Sequence, residues 1–261
     1  MSQYETLKVI SENGVLQVIV NRPDKLNALN AQVLQELQMV IDSVKDFSAR
    51  VLILSGEGDR AFIAGADIKA MSSMNAADAL AFAKLGQDVT LGFENLPIPV
   101  IACVHGFALG GGCEMAMSAD FMFATKSSLF GQPEINLALI PGFGGTQRLM
   151  RALGLARSRE LIYTGRNFKA EEAREWGLVH TLFETKEEMM AEAFKLAEVL
   201  KKKSPVILAE CKKVINRGEG LTVSQGLEIE RNAFSRVFET EDKTEGLAAF
   251  LEKRAPNFQG R

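Results

Sequence analysis

Apolar and polar positions alternate on both sides of Asn13-Gly14 in LKVISENGVLQVIVN (7–21). An Asn-Gly pair between alternating runs predicts a β-hairpin. The polar loop RPDKLNALN (22–30) follows, opened by Pro23. The spacing of Val33, Leu34, Leu37, Val40, Ile41 and Val44 then predicts a helix with Asn30 as its N-cap. VLILSG (51–56) reads as a fully buried strand, and GDRAFIAGADI (58–68) as a loop into another helix. Further strands are expected at IPVIACV (98–104) and DFMFAT (120–125), separated by a short helix that the triple glycine 110–112 opens and that runs to about Ser118. From Gly144 onward the pattern is mostly helical, and residues 186–254 read as several amphipathic helices. Strand–helix alternation followed by helices predicts an α/β core with a helical C-terminal appendage.

Composition narrows the class. The chain has 261 residues, 47% of them hydrophobic, enough for a sizeable core. Its 30 basic and 33 acidic residues are interspersed, so no basic excess points to nucleic acid. Three cysteines without a CxxC give no disulfide framework, and two separated histidines give no metal-ligand cluster. The N-terminus lacks the basic and apolar regions of a secretory signal, so a reducing, cytoplasmic compartment is expected. Residues 95–113 carry no Asp, Glu, Lys or Arg. Their two prolines and four glycines suit a strand, a turn and a helix start better than a membrane span.

Three stretches combine glycine, small residues and an acid: FIAGADIKAM (62–71), ALGGGCEMAMSAD (108–120) and FGQPEINLALIPGFGGTQR (130–148). Glycines at a helix start leave backbone N–H groups free to meet an anion or a developing oxyanion. Close helix–strand packing selects the same residues. GxGxxG fails because Met115 stands at its last glycine, and no GKS or GKT completes a phosphate loop. Glu114 lies three positions after Gly111, on the same helical face. A carboxylate among Ala, Met and Gly needs a partner or a task. Glu134 follows Pro133, which disfavours helix at Gln132, and is a second candidate acid or an ordinary loop carboxylate. Asp67 is either part of a second set of free N–H groups in AGAD or simply a helix cap.

Two carboxylates and two backbone donors suit addition of water to an alkene conjugated to a carbonyl. One acid activates water, the other protonates carbon, and the N–H pair holds the growing oxyanion. A two-carboxylate glycosidase is the rival chemistry. One Trp and two Tyr offer few aromatic platforms for sugars.

Over nearly its full length the chain resembles the enoyl-CoA hydratase (crotonase) family. NRPDKLNALN is similar to the family's early CoA-binding loop, and FIAGADI and ALGGGCE to its two oxyanion-hole segments. FGQPEI and IPGFGGTQR resemble the segment carrying its second acid and the following loop. TGRNFKAEEAREWGLV and EGLAAFLEKRAPNF resemble its later helix-turn stretch and C-terminal helix. The resemblance implies an α/β, crotonase-like (ClpP/crotonase) spiral of ββα-type units over residues 1–185. A helical C-terminal trimerisation region over 186–261 would complete the CoA site. It implies reversible hydration of (2E)-enoyl-CoA to (3S)-3-hydroxyacyl-CoA, as in fatty-acid β-oxidation or a related acyl-CoA route, with short acyl chains expected.

The family pattern also implies roles. Ala66 and Gly111 N–H groups would hold the thioester oxygen, Glu134 would protonate the α-carbon and Glu114 would activate water. Lys25, Leu26, Ala28, Ala64, Asp67, Ile68, Gly110, Pro133 and Gly142 would contact substrate or CoA, and Phe250 and Lys253 would reach CoA on a neighbouring subunit. No cofactor or metal is implied, since coenzyme A is part of the substrate. The implied assembly is a homotrimer or a hexamer of two trimers, with no nucleic-acid or membrane partner. The alternatives are an enoyl-CoA delta-isomerase, a methylglutaconyl-CoA-type hydratase, or a non-catalytic RNA-binding or assembly protein on the same fold. The methionine- and alanine-rich stretch 71–92 is either a plastic wall of the acyl pocket or an ordinary amphipathic helix.

Overall fold

The opening hairpin follows from its turn. In the computed structural model, which describes residues 4–261, strands β1 (Leu7–Glu12) and β2 (Val15–Val20) pair antiparallel, with Glu12 opposite Val15. Asn13 and Gly14 both hold positive φ, 50° and 75°, as a two-residue hairpin turn matched to strand twist requires. Helix α1 (Ala31–Asp42) starts where expected: the Asn30 side chain accepts from the Val33 N–H at 3.0 Å. It buries Val33, Leu34, Leu37, Val40 and Ile41, and Val44 lies just beyond it in a 3-10 turn.

The remaining strands come in close pairs. β3 (Val51–Gly56) is followed by β4 (Ala61–Ile63), β5 (Val100–Val104) by β6 (Phe107–Leu109), and β7 (Phe121–Thr125) by β8 (Leu129–Gly131). β9 (Asn167–Lys169) and β10 (Thr181–Phe183) are short additions. The first members of the pairs form one sheet, β1-β2-β3-β5-β7-β10, and the second members another, β4-β6-β8-β9. Only β1/β2 and β8/β9 run antiparallel. Each pair leads into helix: β3-β4 into α2 (Ile68–Met71) and α3 (Ala76–Asn95), β5-β6 into α4 (Gly111–Met117), and β7-β8 into α5 (Gly145–Leu153) and α6 (Leu155–Thr164). Repetition of this unit builds the spiral.

One expectation needs correction. Segment 58–68 is not only a loop, because it contains β4, and the sequence pattern equally gives no sign of β6, β8, β9 or β10. A three-residue strand is too short to display alternation, and its hydrogen-bond partners lie far along the chain.

After α7 (Ala170–Glu175), helix α8 (Lys186–Lys201) lies on the larger sheet, where Met189, Ala193 and Ala197 pack against Val51, Ile53 and Ile101. Lys186 fastens its start by donating to the carbonyls of Gly56 (3.1 Å) and Gly58 (2.6 Å). Helix α9 (Pro205–Gly218) is clasped by Lys212, which donates to the carbonyls of Phe93 and Ile98 and to Asp120 at 2.7 Å. Helices α10 (Val223–Val237) and α11 (Glu241–Glu252) complete the chain. From α9 onward large apolar residues face outward, among them Ile215, Val223, Phe234, Phe250 and Leu251. Among the described residues no helix is long and apolar enough to cross a membrane.

Candidate active site

The segments that follow β4, β6 and β8 of the smaller sheet meet at one cavity of about 450 Å³. Ala64, Ala66, Ile68, Gly110, Gly111, Glu114, Pro133, Glu134 and Gly142 all line it. Lys25, Leu26, Ala28 and Asp67 do not line the cavity; they lie behind or beside it. Lys25 is exposed, the Leu26 carbonyl accepts the Ala64 N–H, and the Ala28 carbonyl accepts Arg22 Nη1 at 2.5 Å. The Asp67 carboxylate caps α2 and pairs with Arg22 at 3.0 Å. Phe250, 82% exposed, and Lys253 are at the end of α11, outside this chain's cavity.

The first proposed donor is positioned by strand-like pairing. Leu29 donates to the Gly65 carbonyl (2.8 Å) and accepts from the Asp67 N–H (2.7 Å), forming a parallel bridge with Ala66. In such a bridge the bracketed residue's own N–H points away from its partner. The Ala66 N–H therefore points away from Leu29, and the residue lines the cavity. Asn27 holds the loop that makes the bridge. Fully buried at φ 58°, it accepts from the Arg22 N–H and donates to the carbonyls of Glu57 and Ala61. Asn27→Ala removes the side-chain partner of one buried and two half-buried backbone groups, and is expected to lower the unfolding free energy by about 2–4 kcal/mol. Urea denaturation checks this, and a loss under 0.5 kcal/mol contradicts it.

The second donor is the first residue of α4. Gly111 has no intrahelical acceptor for its N–H, and it lines the same cavity. The three glycines serve different ends. A Cβ on Gly112 would lie 1.9 Å from the Ile63 carbonyl, so this glycine serves helix–strand packing. Gly110, at φ 47° and ψ −121°, turns β6 into α4, and a Cβ there would lie 2.5 Å from Glu134 Oε1.

Glu114, only 1% exposed, is held by the loop after Pro141. Its Oε1 accepts the N–H groups of Phe143 (2.8 Å) and Gly145 (2.5 Å). That loop is tied down in turn: Gln87 donates to the Gly142 carbonyl, and Thr90 and Arg148 both donate to the Phe143 carbonyl. Glu134 sits in the 3-10 turn Pro133–Leu137. The side-chain amide of fully buried Gln132 lies 3.2 Å from both its oxygens. An amide suits either state of that acid, since its nitrogen donates to the ionised form and its oxygen accepts from the protonated one.

Burial pushes both acids up to about 7. At Glu114 the two backbone N–H bonds oppose desolvation, while the charge of Glu134 adds to it. Two carboxyls that share one cavity titrate as a pair. The two backbone donors favour the charged form of Glu114. Burial also pushes the Cys113 thiol beside them up to about 12, so it offers no thiolate. Among the described residues no group of His, Cys, Asp and Glu side chains forms a metal cage.

Gln132, Arg22, Asn27, Gln87 and Arg148 were not singled out from the sequence. Gln132 was within reach, adjoining a singled-out Pro-Glu pair; the others act through contacts with distant backbone.

The enoyl-CoA hydratase/isomerase family model matches residues 11–261. The short-chain-enoyl-CoA hydratase of Clostridium acetobutylicum is 44% identical over 244 residues, 93% of each chain. The crotonyl-CoA hydratase of Syntrophomonas wolfei subsp. wolfei is 41% identical over 98% of each chain. The crystal structure of an enoyl-CoA hydratase from Bacillus anthracis superposes with a TM-score of 0.93 at 37% identity, covering 98% of this chain and all of that one.

Proposed function

The chain belongs to the enoyl-CoA hydratase/isomerase family and is an enoyl-CoA hydratase, a hydro-lyase acting on acyl-CoA thioesters, and we propose that it hydrates short-chain (2E)-enoyl-CoA through Glu114 and Glu134. The observation that carries this reading is the pair of acids, Glu114 and Glu134, lining one cavity together with Ala66 and Gly111, where burial pushes both acids up to about 7.

In the proposed reaction the thioester oxygen accepts from the N–H groups of Ala66 and Gly111. These donors hold the negative charge that grows as the conjugated system takes up electron density. Glu114, ionised and fixed by Phe143 and Gly145, takes a proton from water as its oxygen bonds to the β-carbon. Glu134 delivers its proton to the α-carbon. One water is added, the alkene π bond is consumed, and the pair ends with its single proton on Glu114. Return of that proton to Glu134 resets the site. An isomerase needs only proton removal and return, so two retained acids favour hydration.

The CoA-contact roles of Lys25, Leu26, Ala28 and Asp67 belong to this proposal, as does a (3S) product feeding fatty-acid or related acyl-CoA metabolism. We place the working form in a reducing cytoplasm as a trimer or paired trimers. The 1–185 core would then carry the chemistry, and 186–261 would supply assembly and Phe250 and Lys253 for a neighbour's CoA. The outward apolar residues of α9 to α11 support this assembly, and three unpaired cysteines suit that compartment.

The test is loss of the conjugated-thioester absorbance of crotonyl-CoA on adding purified protein. Rapid loss, with chromatographic identification of 3-hydroxybutyryl-CoA, is the expected result. No loss with crotonyl-, hexenoyl- or branched enoyl-CoA from a folded protein would overturn it.

A further inference from the structure

The cavity is lined by exposed side chains at some positions and by buried ones at others. Ile140 (76% exposed), Leu137 and Ile68 form part of the rim, whereas Phe82 and Phe143 line the cavity from within the core. CoA carries phosphates and a nucleotide that are costly to bury, so it occupies the rim side. The acyl chain then points towards the two rings.

Those rings cannot easily yield. They pack edge-on with centroids 5.3 Å apart. The Phe143 ring lies between two helix backbones at glycines: a Cβ on Gly86 of α3 would be 2.1 Å from it, and one on Gly111 of α4 3.0 Å. The backbone of Phe143 is held by Thr90 and Arg148, and its N–H holds Glu114. A chain that pushes this ring aside therefore also disturbs the acid.

We propose that Phe82 and Phe143 form the blind end of the acyl channel and set the chain length this enzyme accepts. This rests on the enoyl-CoA reading, and it names the side chains that select the substrate. Phe143 is a fixed wall coupled to catalysis, and Phe82 is the removable part. Chains up to the rings gain affinity with each methylene; longer ones gain nothing and turn over more slowly.

Calorimetric binding of butyryl-, hexanoyl-, octanoyl- and decanoyl-CoA tests this without turnover. Each buried methylene tightens binding about fourfold. In the wild type this gain is expected to stop within the series. In Phe82→Ala it should continue for about two more methylenes, roughly fifteenfold in Kd. Phe82→Leu, which keeps more of the core filled, is expected to extend it less and guards against misfolding of the larger truncation. An unchanged break point in a folded variant, or a wild type with no break, overturns the proposal. Crotonyl-CoA hydration is assayed on the same samples. A shifted break point without hydration in the wild type would sink the hydratase reading and leave the channel end standing; hydration with an unmoved break point would do the reverse.

Discussion

Glu134→Gln is expected to lower kcat for crotonyl-CoA by roughly 10²–10⁴, the scale of a lost acid–base group, with a smaller effect on KM. The amide keeps the shape and still meets Gln132, but has no proton to give the α-carbon. The pH profile separates this role from a structural one. Wild-type kcat/KM should fall on both sides of neutrality: in acid as Glu114 is protonated, in alkali as the pair loses its remaining proton. Residual activity of Glu134→Gln should keep the acid limb and lose the alkaline one. Stability should move the opposite way to activity. The raised carboxyl, from 4.5 to about 7, binds its proton more tightly folded than unfolded. Its contribution to stability is thus full below pH 4.5 and is lost as pH rises towards 7. The Gln variant escapes that loss, so its urea midpoint should exceed that of the wild type at pH 8 and match it at pH 4. More than a tenth of wild-type kcat in the variant would remove Glu134 from its role.

Gly110→Ala should be nearly as damaging although it removes no functional group. The new methyl would sit 2.5 Å from Glu134 Oε1, and residue 110 would have to keep φ 47° and ψ −121°. A side chain there costs about 1–3 kcal/mol of backbone strain. Relief of the contact moves either the acid or the start of α4. The Gly110 N–H bonds the Gly131 carbonyl and its own carbonyl accepts from the Glu114 N–H, so a shift at this residue reaches both acids. Misplacement by about 1 Å costs on the order of 10² in rate, and that is the expected loss in kcat. Circular dichroism and urea unfolding would show a folded, mildly destabilised protein. Activity within threefold of wild type would mean that the site absorbs the methyl and that Gly110 is not its spacer.

What the sequence by itself determined is local. The Asn13-Gly14 hairpin, the Asn30 cap, the apolar strands and the helical C-terminal third are encoded by nearest neighbours and by periodicities of two and 3.6 residues. The candidate acids and the glycine-led helix were legible too, because a carboxylate in an apolar run is chemically conspicuous. The tertiary structure alone decided how these parts meet. All four strands of the smaller sheet are three residues long and exist only through partners far along the chain. It also separated the three adjacent glycines: a Cβ on Gly110 would crowd Glu134, Gly111 opens α4 beside the cavity, and Gly112 lets that helix pack against Ile63. The clamp on Glu114 comes from backbone 29 and 31 residues away, and backbone N–H groups leave no mark on side-chain identity. The Asp67 carboxylate caps α2, one of the two readings its sequence context left open, and its pairing with Arg22, 45 residues distant, is a contact only the fold supplies. A residue's type limits the chemistry open to it; which chemistry it performs depends on the long-range contacts that set its burial and its partners.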